Sequence, residues 1–217
     1  MKHIKNIIFD FDGTLVDTAP LIVKTMQAAI EELSLPEKTD EECRATIGLR
    51  LEEIPMVLWG LDEIQSAIFA KVYRRIFNDL KKPDAAQCFP GVTEGLQKLY
   101  DCGYGLAIAS SRSSKSLDEY VNAFGWNKVL SAVFGGNDVV HGKPAPDAVL
   151  NICKKLDWNT NDCLVVGDAV YDIMMGRNAG SVTCGVSYGN HDRDKLNTAK
   201  PDFIVDSFEE LVRFILS

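Results

Sequence analysis

Several side chains able to do chemistry stand where apolar runs of this chain end. Ile7-Ile8-Phe9 stops at Asp10-Phe11-Asp12-Gly13-Thr14, so two carboxylates one residue apart meet a glycine and a hydroxyl. Ser110 closes Leu106-Ala107-Ile108-Ala109, and Lys143 lies in Gly142-Lys143-Pro144. Asp168 and Asp172 follow another apolar run, in Gly167-Asp168-Ala169-Val170-Tyr171-Asp172. Strict strand geometry would put Asp10 and Asp12 on one face, and Gly13 permits a tight departure from the strand. A positioned carboxylate can serve as a nucleophile, and a second, protonatable one can act as acid and then base. Asp168 adds a hard oxygen donor suited to a divalent ion. Clustered carboxylates repel one another, and a divalent cation explains how they coexist.

The elements that must position these groups follow from periodicity. Residues 4–9 read as a buried strand, β-branched and aromatic, that ends at the paired aspartates. Leu21, Met26, Ile30 and Leu33 then recur at helical spacing in a segment opening near Ala19-Pro20, where proline suits a first turn. Further helices are expected over 40–46, 51–58 and 62–80. The last carries Ile64, Ile68, Val72 and Ile76 at four-residue intervals and stops at Lys81-Lys82-Pro83-Asp84. Residues 17–86 therefore read as an all-helical insert, too long for an ordinary strand-to-helix connection. Beyond Phe89-Pro90-Gly91 helices and strands alternate. Helices are expected at 92–100, 115–124, 146–156, 173–179 and 208–216. Strands are expected at 105–109, within 129–134, and at 163–166, 182–185 and 203–205. That alternation predicts an α/β fold with a mostly parallel sheet covered by helices on both faces. Open parallel sheets bind ligands beyond the carboxyl ends of their strands. Asp10, Ser110 and Asp168 all fall at such ends, which brings them to one pocket.

Bulk properties narrow the class. The chain has 217 residues, 46% of them apolar, with a formal charge of −8. The acidic balance, with no compensating Lys/Arg block, disfavours a general nucleic-acid binder. A small anionic substrate is still compatible, because a local metal and lysine can reverse the field inside an acidic protein. No apolar run is long enough to cross a bilayer. Cys43, Cys88, Cys102, Cys153, Cys163 and Cys184 are dispersed without a CxxC pair, and His3, His141 and His191 form no zinc motif with them. Reduced thiols and a cytoplasmic location are the expectation. Trp59, Trp126 and Trp158 read as packing anchors and His141 as loop surface.

The motifs around Asp10-Asp12, Ser110, Lys143 and Asp168-Asp172 occur in order and together resemble the haloacid dehalogenase-like hydrolase superfamily. The resemblance covers nearly the whole chain. It points to the branch of phosphoglycolate phosphatases, pyrophosphatases and β-phosphoglucomutases with a helical cap. It implies a Rossmann-like parallel-sheet core over 1–16 and 87–217, with residues 17–86 as an inserted cap domain. The implied activity is a Mg2+-dependent phosphatase acting on a small phosphorylated metabolite through an aspartyl-phosphate. Phosphoglycolate is the favoured substrate, with pyrophosphate, nucleotides, sugar phosphates or a mutase outcome as alternatives. In that scheme Asp10 attacks phosphorus, while Asp12 is acid and base and lends its backbone carbonyl to the metal. Asp10 and Asp168 supply metal carboxylates, and Asp172 orients the Asp168 shell or a metal-bound water. Ser110 would contact phosphate, and Lys143 would offset charge on the transferred oxygens. Ser111 is either a second phosphate contact or a helix-entry residue. In the cap, Thr46-Ile47-Gly48-Leu49-Arg50 offers Arg50 either as reader of an anionic leaving group or as a solvated charge. Arg74 and Arg75 read as surface charges in local pairs. The expected partners are the metabolite alone, without nucleic acid or membrane, in a monomer or homodimer.

Overall fold

The computed structural model describes residues 4–81 and 86–217. The chain opens with strands Asn6–Phe9 (β1) and Val16–Asp17 (β2), then runs through helices Ala19–Glu32 (α1), Asp40–Arg44 (α2), Ile54–Trp59 (α3) and Glu63–Leu80 (α4). It continues through Gln87–Cys88 (β3), Val92–Asp101 (α5), Gly105–Ala109 (β4), Ser114–Ala123 (α6), Ala132–Phe134 (β5) and Asp147–Leu156 (α7). Cys163–Gly167 (β6), Val170–Asn178 (α8), Val182–Val186 (β7), Arg193–Thr198 (α9), Phe203–Val205 (β8) and Phe208–Leu216 (α10) complete it. The expected stop at Lys82-Pro83-Asp84 and the residue His3 lie outside the described residues.

Six strands form one parallel sheet in the order β5-β4-β1-β6-β7-β8. Because successive side chains alternate across a strand, each central strand feeds two apolar layers. Ile7 and Phe9 of β1, Leu106 and Ile108 of β4, and Leu164 and Val166 of β6 face one core that α5, α6 and α10 cover. Ile8, Ala107, Ala109, Cys163 and Val165 face the other, closed by α7 and α8. The chain moves outward from β1 through β4 to β5, then returns to the opposite side of β1 with β6. This reversal opens a crevice beyond the carboxyl end of β1, with the ends of β4 and β6 on either side.

Helices α1–α4 occupy the interval between β2 and β3, which pair antiparallel as a narrow stem (Val16 with Cys88, Asp17 with Gln87). These helices bury a third apolar cluster around Met26, Ile30, Cys43, Phe69, Tyr73 and Phe77. Helix α4 starts at Asp62, whose carboxylate accepts the Gln65 N–H at 2.8 Å while the Gln65 side chain accepts the Asp62 N–H at 3.3 Å. Its buried stripe differs from the four-residue rhythm read from the sequence. Ile64 and Ile68 are exposed, and Phe69, Ala70, Tyr73, Ile76 and Phe77 face inward. A strict four-residue spacing drifts about 40° per step around a 3.6-residue helix, so it cannot follow one face. Helix α8 begins three residues before the expected start. Asp172 Oδ2 accepts the Ala169 N–H at 3.0 Å and so caps the helix from its own first turn.

The core of the helical segment centres on Phe69, which is fully buried and packs its ring 5.8 Å from Trp59 and 6.4 Å from Tyr73. Phe69→Ala should lower stability by about 3–5 kcal/mol, the usual cost of emptying such a site. Urea denaturation followed by far-UV circular dichroism checks it.

Candidate active site

Asp10 follows β1 directly, and its backbone N–H donates to Val166 O at 2.8 Å, which fixes it beside the end of β6. One carboxylate oxygen, Oδ1, accepts a short hydrogen bond from Lys143 Nζ. The other, Oδ2, is buried and has no hydrogen-bond partner among the described residues. Lys143 also donates to Asp172 Oδ1 at 2.6 Å, and all three side chains are almost completely excluded from water. Carboxylate oxygens of Asp10, Asp168 and Asp172 lie within 4.8 Å of one another.

Asp168 leaves the end of β6 and is held from several sides. The Thr14 hydroxyl donates to its Oδ1 at 3.0 Å, while the Asn190 backbone N–H and side-chain amide donate to Oδ2 at 2.7 and 2.8 Å. Gly13, at φ +91°, lets the chain turn where a Cβ would sit 2.3 Å from Asp168 Oδ2. The same Asn190 amide reaches the Asp12 backbone carbonyl at 3.4 Å. The Asp12 side chain turns elsewhere. Arg112 grips it with Nε at 3.1 and 3.0 Å from the two oxygens and Nη2 at 2.5 Å from Oδ1, and the Thr18 hydroxyl donates to Oδ1 at 2.6 Å. Strict strand alternation does not govern this pair, since β1 ends at Phe9. Asp10 and Asp12 nevertheless line one cavity of about 570 Å³, together with Ser110, Arg112 and residues of α4.

Burial dominates the electrostatics. It pushes the Asp10 carboxyl well above the ordinary carboxylate range against the pull of Lys143, and neighbouring carboxylates add to the rise. Asp168 is pushed up to about 7 by burial and then by Asp172, although the hydrogen bonds from Asn190 and Thr14 oppose this. Burial also works against the Lys143 cation, but Asp10 and Asp172 outweigh it and keep the ammonium charged. Three carboxylates against one ammonium leave two negative charges when all are ionised. A divalent cation balances that excess, and the clustered carboxylates of Asp10, Asp168 and Asp172 offer it hard oxygens. The donor set therefore fits Mg2+.

The remaining site residues divide between the cavity and its rim. Ser110 is buried and its Oγ accepts the Arg112 N–H at 3.2 Å. Ser111 donates instead to Gly48 O at 2.6 Å, tying the end of β4 to the loop after α2. Arg50 crosses the same gap in the opposite sense. Its Nη atoms donate to the carbonyls of Gly136, Val139 and Val140 at 2.7–2.9 Å, and its buried Nε has no partner among the described residues. Asp172 joins the carboxylate cluster through Lys143 as well as capping α8. Arg74 and Arg75 form exposed pairs with Glu52 and Glu32, and His141 is exposed beside Asp147.

Sequence reasoning missed Arg112, Asn190 and His191, and gave Thr14 no role beyond its place in the first motif. Asn190 and His191 lie in the loop that follows β7, four and five residues past its last residue Val186, so only the loop's position beyond a strand end pointed to them. His191 Nδ1 accepts the Val170 N–H at 3.1 Å, which leaves Nε2–H to reach Ala45 O at 3.3 Å. Burial holds this imidazole below its ordinary pKa and favours that neutral form.

The family model for haloacid dehalogenase-like hydrolases matches residues 7–186. This chain belongs to that family. Among similar proteins, the one named probable phosphatase IndB from Dickeya dadantii is 37% identical over 209 residues, 95% of this chain and 91% of its own length. The phosphoglycolate phosphatase of Psychrobacter arcticus is 28% identical over 218 residues, 97% of this chain and 95% of that protein. A Bacteroides fragilis structure described as a haloacid dehalogenase-like hydrolase superposes with a TM-score of 0.90 at 26% identity, covering 96% of this chain and 99% of that one. The haloacid dehalogenase-like fold is thus shared over 96% of the chain. Among the described residues no helix is long and apolar enough to cross a membrane.

The Asp168 environment sets the sign of a stability effect. Its carboxyl titrates at 3.8 as a free side chain and at about 7 in the folded protein, so folding takes up a proton. Its contribution is complete below the unfolded value and is lost as pH rises through the folded one. In chelator-treated protein, Asp168→Asn should therefore gain in Tm relative to the parent as pH rises from about 4 to about 7. A difference that stays flat across that window would contradict this electrostatic account.

Proposed function

We propose that the chain is a Mg2+-dependent phosphatase that hydrolyses a small phosphorylated metabolite through an aspartyl-phosphate on Asp10, with phosphoglycolate as substrate. The observation that carries this reading is the Asp10 carboxylate, with one oxygen fixed by Lys143 and the other unpartnered. A nucleophile oriented in this way has little freedom left to lose on the way to attack. Asp10, Asp168 and the Asp12 carbonyl would hold Mg2+, whose charge, when bound, offsets that of the phosphate and the attacking carboxylate. Lys143 keeps Asp10 in place and faces the same developing charge. Ser110, whose oxygen accepts from Arg112, keeps its own proton to donate to a phosphate oxygen.

Asp12 protonates the leaving oxygen as Asp10 Oδ2 bonds to phosphorus and the ester bond breaks. It then takes a proton from the water that attacks phosphorus, which releases inorganic phosphate and restores the Asp10 carboxylate. Helices α1–α4 act as the cap over this chemistry, and Arg50, Ser111 and His191 hold the cap to the sheet-bearing part. The name of the Psychrobacter relative supports phosphoglycolate as the substrate. Free cysteines suit a reducing cytoplasm.

Asp10→Asn should abolish the base-labile phosphoenzyme detected by mass spectrometry after acid quench. Asp12→Asn should still bind substrate while turnover falls by roughly 10²–10⁴-fold. A phosphoryl group found on another residue would refute the Asp10 role. Chelation should stop turnover, and added Mg2+ should restore it and raise the Tm of the metal-free protein near pH 7. Full activity in rigorously metal-free protein would exclude the metal role.

A further inference from the structure

Three of the five N–H groups of Arg50 are committed to backbone carbonyls, which ties this side chain to the loop after β5 as a strut between the two parts of the molecule. The other cations of the cavity wall include Arg74, paired with Glu52, and Lys81, paired with Glu119 at 2.5 Å, both in partly exposed positions. Arg112 differs from them. Its side chain is 9% exposed, and its guanidinium carbon sits 5.2–5.8 Å from the ring centroids of Phe11, Phe77 and Tyr120. A low-polarity surround of this kind strengthens any charge contact made there.

The guanidinium has five N–H donors. Nε–H and one Nη2–H engage Asp12, and one Nη1–H engages Ser116 Oγ at 3.1 Å. One N–H on each terminal nitrogen is left without a partner among the described residues. Asp12 meanwhile accepts from Arg112 and from Thr18 at once. A carboxylate so engaged is held in place as an acceptor and is not free to turn toward a leaving group.

We propose that Arg112 is the specificity-determining residue of this site, reading a carboxylate carried close to the ester oxygen of the substrate and, in taking it, loosening its own hold on Asp12. This deepens the phosphatase reading above and rests on it. Arg112 touches the very side chain that must reach the leaving oxygen, so the anion it accepts lies within a few hydrogen-bond lengths of that oxygen, each about 3 Å. The substrate class is therefore a phosphate ester of a short hydroxycarboxylate, with the carboxylate one or two carbons from the ester. Shape alone would select poorly, since a cavity of about 570 Å³ could enclose a much larger ligand. A neutral ester lacks the anion that competes for Arg112 and leaves Asp12 clamped.

The test compares phosphoglycolate, 2-hydroxyethyl phosphate and a carboxylate ester with a four-carbon spacer, in the Mg2+-loaded parent, Arg112→Gln and Arg112→Lys. The parent should favour phosphoglycolate over the neutral ester by about 10- to 100-fold in kcat/KM, the value of a charged hydrogen-bonded pair, with the long-spacer ester close to neutral. Arg112→Gln should collapse that ratio, chiefly through KM for phosphoglycolate, and Arg112→Lys should restore part of it. Equal losses on all three esters in Arg112→Gln, or a parent that does not distinguish phosphoglycolate from 2-hydroxyethyl phosphate, would overturn the proposal and leave the phosphatase reading intact. A parent that hydrolyses no phosphate ester would overturn both.

Discussion

Lys143 stands between Asp10 and Asp172 with almost no exposure, and the rest of the site is arranged around that ammonium. Desolvating a lysine is costly, and only direct contact with opposite charge compensates for it. Asp10 and Asp172 supply that contact, so neither carboxylate is free to move. Asp172 in turn caps α8 through the Ala169 N–H, which links the charge cluster to the helix that follows β6. Removing the ammonium would leave adjacent buried carboxylates facing one another, a worse state than losing one favourable bond. The position of the nucleophile and the start of a helix thus depend on the same ion pair.

The sheet explains why so few residues are needed. Strand β1 lies between β4 and β6, and each of the three ends at the crevice with one polar side chain: Asp10, Ser110 and Asp168. The register pairs Phe9 with Ile108 and with Val166, so the strands reach the crevice nearly level. Apolar residues fill both faces below it, which keeps those ends rigid. Polar groups from later loops then complete the surround, with Asn190 reaching both Asp168 and the Asp12 carbonyl.

Much of this arrangement was legible in the sequence because it depends on short-range pattern. The parallel alternation, the strand ends at Asp10, Ser110 and Asp168, and the long helical stretch after the first strand all follow from local periodicity. What escaped depends on partners distant in the chain. Arg112 looks like one more charge in a serine-rich loop, and only the folded chain brings it to Asp12, 100 residues away. Asn190 was overlooked in the loop after β7, because an amide carries no obvious chemistry until its two acceptors are known. The inward face of α4 was misjudged for another reason. Isoleucines at regular intervals drew attention to one side, while aromatic side chains at Phe69, Tyr73 and Phe77 fill the interior.

Three of the contacts that hold α1–α4 over the crevice share one property. Ser111, Arg50 and His191 each reach across the gap, and each is met by a main-chain carbonyl: Gly48, Gly136 with Val139 and Val140, and Ala45. A carbonyl is offered by every residue type, so the hydrogen bond itself asks for no particular side chain, although Gly48 at φ +107° and Gly136, where a Cβ would sit 2.5 Å from Ser111 O, are held to glycine by their backbone and neighbours. Mutations there that preserve the backbone path leave the attachment intact. At Ala45, Val139 and Val140 the side chain can therefore change without parting the two halves of the molecule, so the joint is fixed by the path of the main chain more than by residue identity.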